Sequence, residues 1–240
     1  MNALLFDLDD TLLDYSGGVD ESWREACVTC CAPMGLDVER LMKTLAETRQ
    51  SFWSDPSRHR RERVNMIRAW QRIAGGALAS LGVSCDGLDA AMAREYAARR
   101  RAVMQLFPDA RETLERLRAR GVPLGLVTNG DAGQQRDKIE RFELAPFFQV
   151  IVIEGEFGAG KPDETVYRHA LDHLGVAPAD TSMVGDHLEF DVAGPQRLGV
   201  RGIWLDRPGA GLADSPVRPH RVIRSLRELT GPRQPLTFRQ

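Results

Sequence analysis

Six residues able to do chemistry stand just beyond short apolar runs, where successive strands would deliver them to one edge of a sheet. Asp7 and Asp9 follow "ALLF", Thr128 and Asn129 end "VPLGLVTN", Lys161 lies a little after "FQVIVI", and Asp186 ends "TSMVGD". Asp7 and Asp186 offer hard oxygen ligands for Mg²⁺, which takes one or two carboxylates and keeps its other positions for water and substrate oxygens. With that charge in place a phosphate can approach Asp7, aided by the Lys161 ammonium, the Thr128 hydroxyl and nearby backbone N–H groups. Asp7 is then placed to attack phosphorus. Asp9, two residues on and on the same side of an extended chain, is placed to protonate the leaving oxygen and later to activate water. Each residue alone reads as a turn or a helix cap; their joint arrangement points to phosphoryl chemistry.

The stretch "GEFGAGKP", Gly155 to Pro162, nearly spells a nucleotide-binding loop behind its strand. Pro162 stands where the Ser or Thr that holds Mg²⁺ should be, and it lacks a backbone donor, so a P-loop is rejected. The glycines are expected to turn the loop back toward the site, and Pro162 to sit in the first turn of a helix beginning at Asp163.

These residues need a frame. Residues 107–231 alternate helix and strand: helix 109–120 before "VPLGLVTN", helix 132–142 before "FQVIVI", helix 163–174 before "TSMVGD", and a short helix 191–198 before "RGIWLD". With the opening strand this predicts an α/β protein with a Rossmann-like, doubly wound parallel sheet, in which sites lie at the carboxyl ends of the strands. Residues 15–106 are read as an all-helical insertion, with Val64, Ile67, Trp70 or Gln71, Ala74, Leu78 and Leu81 along one helix face. The domain expectation is therefore a core of 1–14 and 107–231, a helical block of 15–106, and a loose tail of 232–240 that is polar and Pro-bearing.

"DLDDT", "LVTNG", "GKP" and "GDHLEFD" resemble, in order and spacing, the four motifs of the haloacid dehalogenase (HAD) superfamily. The resemblance covers nearly all the chain outside residues 15–106, and it makes that block an α-helical, C1-type cap. It implies Asp7 as nucleophile and metal ligand, Asp9 as general acid/base and metal ligand through its backbone carbonyl, and Thr11 as a support of the loop. It further implies Thr128, with Asn129 beside it, and Lys161 as phosphate-binding groups, Asp186 as metal ligand and Asp191 as a residue that orders the site. Mg²⁺ is the implied cofactor. "DxDxT" behind an apolar strand is the most specific of the four motifs, and "LVTN" and "GKP" are weak when taken alone. Within the superfamily the core looks most like the sialic-acid 9-phosphate phosphatase and pyrimidine nucleotidase branch. The implied activity is hydrolysis of a small phosphomonoester, a sugar phosphate or nucleoside monophosphate, through an aspartyl phosphate.

Other readings stay open on the letters alone. A catalytically silent phosphate-binding or regulatory module would keep the scaffold, but every residue needed for turnover is present. A dehalogenase of the namesake branch lacks the second aspartate that Asp9 supplies, and a phosphonatase would need a cap lysine, for which Lys43 is the sole candidate. Receiver domains are about half this length and do not begin with DxDxT.

Composition narrows the partners. The 240 residues carry a formal net charge of −2, which gives no global attraction to a nucleic-acid polymer or an anionic membrane surface. No apolar run approaches a membrane span or a signal-peptide core, so a cytoplasmic protein is expected, with a small phosphorylated metabolite as partner and a homodimer as a further possibility. Cys27, Cys30, Cys31 and Cys85 lack a second CxxC and read as reduced thiols rather than zinc ligands. Of 32 basic residues only Lys43, Lys138 and Lys161 are lysines, which makes each of them worth explaining. In the helical block, Arg58–Arg63 reads as a solvated helix start in preference to an anion site. Trp23, Phe52, Trp53 and Trp70 read as packing residues before stacking platforms. His169 and His173 are ordinary helix residues, and His187 follows Asp186 toward the site entrance.

Overall fold

Ala3–Phe6 (β1) is an unbroken apolar tetrapeptide, and all four residues are buried. A strand covered on both faces has no need of polar alternation, which is why parallel strands read as apolar runs. In the computed structural model, which describes residues 3–84, 87–212 and 215–231, the chain divides into two compact units. One comprises residues 3–14, 106–128 and 133–231; the other comprises Tyr15–Gln105 and Asn129–Ala132. Cys85 and the 232–240 tail lie outside the described residues.

The helical unit is built from Val19–Cys30 (α1), Val38–Trp53 (α2), Pro56–Glu62 (α3), Met66–Ser80 (α4) and Leu88–Val103 (α5). Three of these helices, α2, α3 and α4, start where the sequence supplies a side-chain acceptor, since Asp37, Asp55 and Asn65 each accept a backbone N–H of the following turn, whereas α1 and α5 start behind Gly18 and Gly87. Trp23 stacks on Tyr96 with ring centroids 4.0 Å apart, and Trp70 meets the same ring edge-on at 4.9 Å. Such aromatic pairs add about 0.5–1.5 kcal/mol beyond their burial, so Trp23 and Trp70 act as packing residues. The stripe that faces this core on α4 is Ala69, Trp70, Ile73, Ala74, Ala77 and Leu78. The predicted register began one turn too early: Val64 precedes the helix, and both it and Ile67 are exposed. Cys27 and Cys31 lie in the same core, where burial, reinforced by the neighbouring thiols, pushes Cys27 up to about 12. A thiol so held has almost no thiolate at neutral pH. Arg100 is buried and donates to the carbonyls of Tyr15 and Gly17, tying α5 to the start of the unit.

The other unit holds a six-stranded, all-parallel sheet of α/β type. Ala110–Ala119 (α6) precedes Leu124–Thr128 (β2), and Ala132–Arg141 (α7) precedes Val150–Ile153 (β3). The short Glu154–Phe157 (α8) and then Glu164–Leu174 (α9) precede Thr181–Gly185 (β4). A π-helical turn, Leu188–Ala193, and Gly194–Gln196 (α10) lead to Arg201–Leu205 (β5), and Arg221–Ile223 (β6) closes the edge. Strand order is β3-β2-β1-β4-β5-β6. The chain winds outward from β1 through β2 and β3, then returns to build β4, β5 and β6 on the other side. β1 therefore stands at the reversal of strand order, where open α/β sheets form their crevice beyond the strands' carboxyl ends. Phe6 is in register with Leu126 on one side and Val184 on the other, so Asp7 is the first residue to emerge there.

Two local expectations change. The glycine-rich segment after β3 does not simply turn back, because Glu154–Phe157 makes a helical turn immediately behind the strand. Pro162 is not in the first turn of α9: Asp163 is the N-cap, accepting from the Thr165 amide, and Pro162 lies one residue outside it. No helix among the described residues is long and apolar enough to cross a membrane.

Candidate active site

Asp7 leaves β1 with its amide still bonded to the Val184 carbonyl of β4 at 2.9 Å, so its backbone is fixed by the sheet. Its carboxylate accepts from Lys161 Nζ at 2.6 Å through Oδ1 and from Thr11 Oγ1 at 3.3 Å through Oδ2. Lys161 is 2 % exposed and also donates to Asp191 Oδ1 at 2.7 Å. Asp191, in the π-helical turn, takes the His187 amide at 3.0 Å on its other oxygen. One ammonium thus bridges residues from β1 and from the segment after β4.

At two glycines a neighbouring side chain occupies the space a Cβ would need. A Cβ on Gly185 would stand 2.2 Å from the Asp191 carboxyl, and one on Gly160 would stand 2.4 Å from that of Glu154. At Gly185 the obstructing carboxyl is itself held by Lys161 and the His187 amide, so "GD" carries glycine for room; at Gly160 the end of the Glu154 side chain would have to swing aside. Asp186 follows Gly185, and its carbonyl accepts from Trp204 Nε1 at 2.7 Å, a hold supplied by β5.

Oxygen atoms of Asp7, Asp186 and Asp191 lie within 4.8 Å of one another. Three carboxylates face one ammonium, and burial together with neighbouring charge raises the proton affinity of Asp7 and Asp186. Burial first, and Asp191 and Asp9 after it, push Asp7 up to about 7 against the pull of Lys161. Burial, then Asp7, Asp191 and Asp10, push Asp186 up to about 8. Burial by itself would lower Lys161, but Asp191 and Asp7 outweigh it and hold the ammonium charged. A cluster of hard oxygens with uncompensated charge is the donor set a small divalent cation takes, so the residues fit a metal of that class.

Asp9 has a different neighbourhood. Lys138 Nζ donates to both of its carboxylate oxygens at 2.8 Å, and Gln135 Nε2 donates to Oδ2 at 3.1 Å. Gln135 also donates to Thr128 Oγ1 at 2.6 Å and accepts from Lys138 at 2.6 Å. The structure therefore brings Asp7, Thr11, Lys161, Asp186 and Asp191 into one group and links Asp9 with Thr128 through α7. Asp7 and Asp9 do not share partners, because β1 ends at Phe6 and strand alternation does not govern the tight loop that follows. Asn129 is half-buried and groups with the helical unit.

Sequence reasoning missed Gln135, Lys138 and Arg207. Lys138 carried a signal, as one of three lysines among 32 basic residues. Gln135 carried only its i, i+3 relation to it. Arg207 donates to the Thr11 carbonyl at 2.8 Å and to both oxygens of Asp109, with its guanidinium 3.7 Å from the Phe107 ring centroid. It braces the loop after β1 from the far end of β5, and nothing in its local sequence announces that.

A parallel sheet with a carboxylate at the strand reversal, a buried lysine and an adjacent acidic cluster is the frame of an α/β enzyme whose site lies beyond the carboxyl ends of the strands. The haloacid dehalogenase-like hydrolase family model matches residues 1–199, and the chain belongs to that family. It is 32% identical to the phosphoserine phosphatase of Thermus thermophilus, over 95% of this chain and 98% of that protein. It is 29% identical to the rat (Rattus norvegicus) N-acylneuraminate-9-phosphatase, over 95% and 92%. The HAD-hydrolase YfnB of Bacillus subtilis, in a crystal form bound to magnesium, shares the fold with TM-score 0.72 at 22% identity, over 95% of this chain and 96% of that one.

Proposed function

We propose that this chain is a Mg²⁺-dependent phosphatase that hydrolyses a phosphomonoester of a small metabolite through an aspartyl phosphate on Asp7. The observation that carries the reading is the buried Asp7 carboxylate at the strand reversal, held by Lys161 and Thr11 beside Asp186. The aligned phosphatases, named for phosphoserine and an acylneuraminate 9-phosphate, support small phosphorylated metabolites as the substrate class. A sugar phosphate or a nucleoside monophosphate heads the candidates, and substrate choice is assigned to the helical block on the sequence resemblance alone.

Asp7, Asp186 and the Asp9 carbonyl would hold the ion, with Asp191 steadying Lys161 beside them. Bound Mg²⁺ supplies positive charge to the carboxylates and to the phosphoryl oxygens. Asp7 Oδ attacks phosphorus while Asp9 gives its proton to the departing ester oxygen, releasing the alcohol. Water then attacks phosphorus, the bond to Asp7 breaks, and the water proton passes to Asp9. Inorganic phosphate leaves and the Asp7 carboxylate is restored. Lys161 balances charge shared between Asp7 and the phosphoryl group, and the Thr128 hydroxyl binds one phosphoryl oxygen.

The test is a hydrolysis screen over sugar phosphates, nucleotides and phosphorylated acids, run with Mg²⁺ and with EDTA. Phosphate release with Mg²⁺ that EDTA abolishes is expected. Tight binding of one ester without hydrolysis of any would replace this reading with a silent binding module.

A further inference from the structure

Asp9 must reach the ester oxygen in one half of the cycle and water in the other, so the group that fixes its carboxylate matters as much as the carboxylate itself. In the structure that group is on α7. Lys138 places its ammonium 2.8 Å from both oxygens, Gln135 adds a third bond, and Lys138 and Gln135 are bonded to each other. Both side chains are buried, at 6 % and 2 % residue exposure, and they stand at i, i+3 on one helix face. The pair is not a surface contact made in passing: a buried ammonium is kept only where it is paired. Gln135 also donates to Thr128, so the same two residues join the acid–base carboxylate to the end of β2.

We infer that Lys138 and Gln135 are positioning residues for the phosphatase reaction, fixing the Asp9 carboxylate and, through Gln135, the Thr128 hydroxyl. The inference rests on the phosphatase reading above. Lys138 touches neither the nucleophile nor the cation cluster in the bonds described, and its effect on turnover passes through Asp9. The chemistry it serves is unchanged: Asp9 gives one proton to the ester oxygen and takes one from water. Lys138 sets where the donating and accepting oxygens stand.

A double-mutant cycle tests this, with p-nitrophenyl phosphate as probe and Mg²⁺ present. Lys138→Met is expected to lower kcat roughly 10- to 100-fold, part of the ~10²–10⁴ that an acid–base group supplies, with KM changed far less. Placed on Asp9→Asn, the same substitution should change kcat by less than about twofold, because residues acting through one another are not additive. Gln135→Leu should lower kcat less and raise KM, through Thr128. If Lys138→Met fails to fold, judged by its melting curve, Gln135→Leu carries the same cycle. An unchanged kcat in the single variant overturns the inference, as does an equal loss in both backgrounds, since a merely structural lysine acts on any background. Wild type inactive on every ester sinks the phosphatase reading and this inference with it. Wild type active beside an unaffected Lys138→Met sinks the inference alone.

Discussion

Two lysine–aspartate groups stand at the ends of neighbouring strands, and they are built to opposite accounts of charge. Around Lys161 one ammonium serves Asp7 and Asp191, with Asp186 close by, and burial, reinforced by the neighbouring carboxylates, raises the proton affinity of Asp7 and Asp186. Around Lys138 one ammonium and one amide serve the single carboxylate of Asp9. The first group is incomplete without further positive charge and suits a cation and a phosphoryl group. The second gives one carboxylate its own ammonium and amide, although the Asp9 charge still reaches Asp7.

Substitutions that strike each group should separate them. Asp7→Asn is expected to have the largest effect, a loss of roughly 10⁴-fold or more in kcat with the melting temperature little changed. Wild-type turnover in that variant would remove Asp7 as nucleophile. Asp9→Asn comes next, with steady-state turnover down about 10²–10⁴-fold and phosphoenzyme accumulating in acid-quenched samples; unchanged steady-state rates would contradict its double role. Lys161→Met should cost roughly 10²–10³-fold in kcat. It should also destabilise by about 3–5 kcal/mol, because two buried carboxylates lose their counter-ion. Denaturant unfolding with and without Mg²⁺ checks it, and a variant of wild-type stability and rate would reduce Lys161 to a turn residue.

The smallest effect is on pH dependence. Asp7 and Asp186 hold protons more tightly folded than unfolded, with values of about 7 and about 8 against the usual carboxylate range. The native state therefore binds more protons than the unfolded chain between that range and pH 7 to 8, and metal-free stability falls as pH rises through the interval. Melting temperature in EDTA should drop from pH 5 to pH 8. Mg²⁺ should raise it more at pH 8, where it no longer competes with protons. A flat profile, or a larger Mg²⁺ shift at pH 5, would mean that Asp7 and Asp186 do not hold protons more tightly in the folded chain than in the unfolded one.

The apolar tetrapeptide before Asp7, the alternation after Pro108 and the four motif segments are legible in the letters, because strand cores and strand-end residues are set by local pattern. The amide that anchors Asp7 in the sheet and the Lys161 bond lie beyond that reach: Lys161 is 154 residues from Asp7 in the chain. The register of α4 was misjudged because exposed Val64 and Ile67 look as apolar as the buried stripe, and only packing against Tyr96 and its neighbours chooses between faces.

The sequence by itself determined the class of fold, the family and the segments that hold Asp7, Asp9, Thr128, Lys161 and Asp186, since residue type and spacing are local properties. The sequence reading placed Lys161 beside Asp7, but only the tertiary structure gave Lys138 to Asp9. Lys138 lies 129 residues from Asp9, and Arg207 lies 196 from Thr11. Such pairings are made by the order of strands in the sheet. No local pattern records them, because the chain brings these residues together only when the sheet has formed.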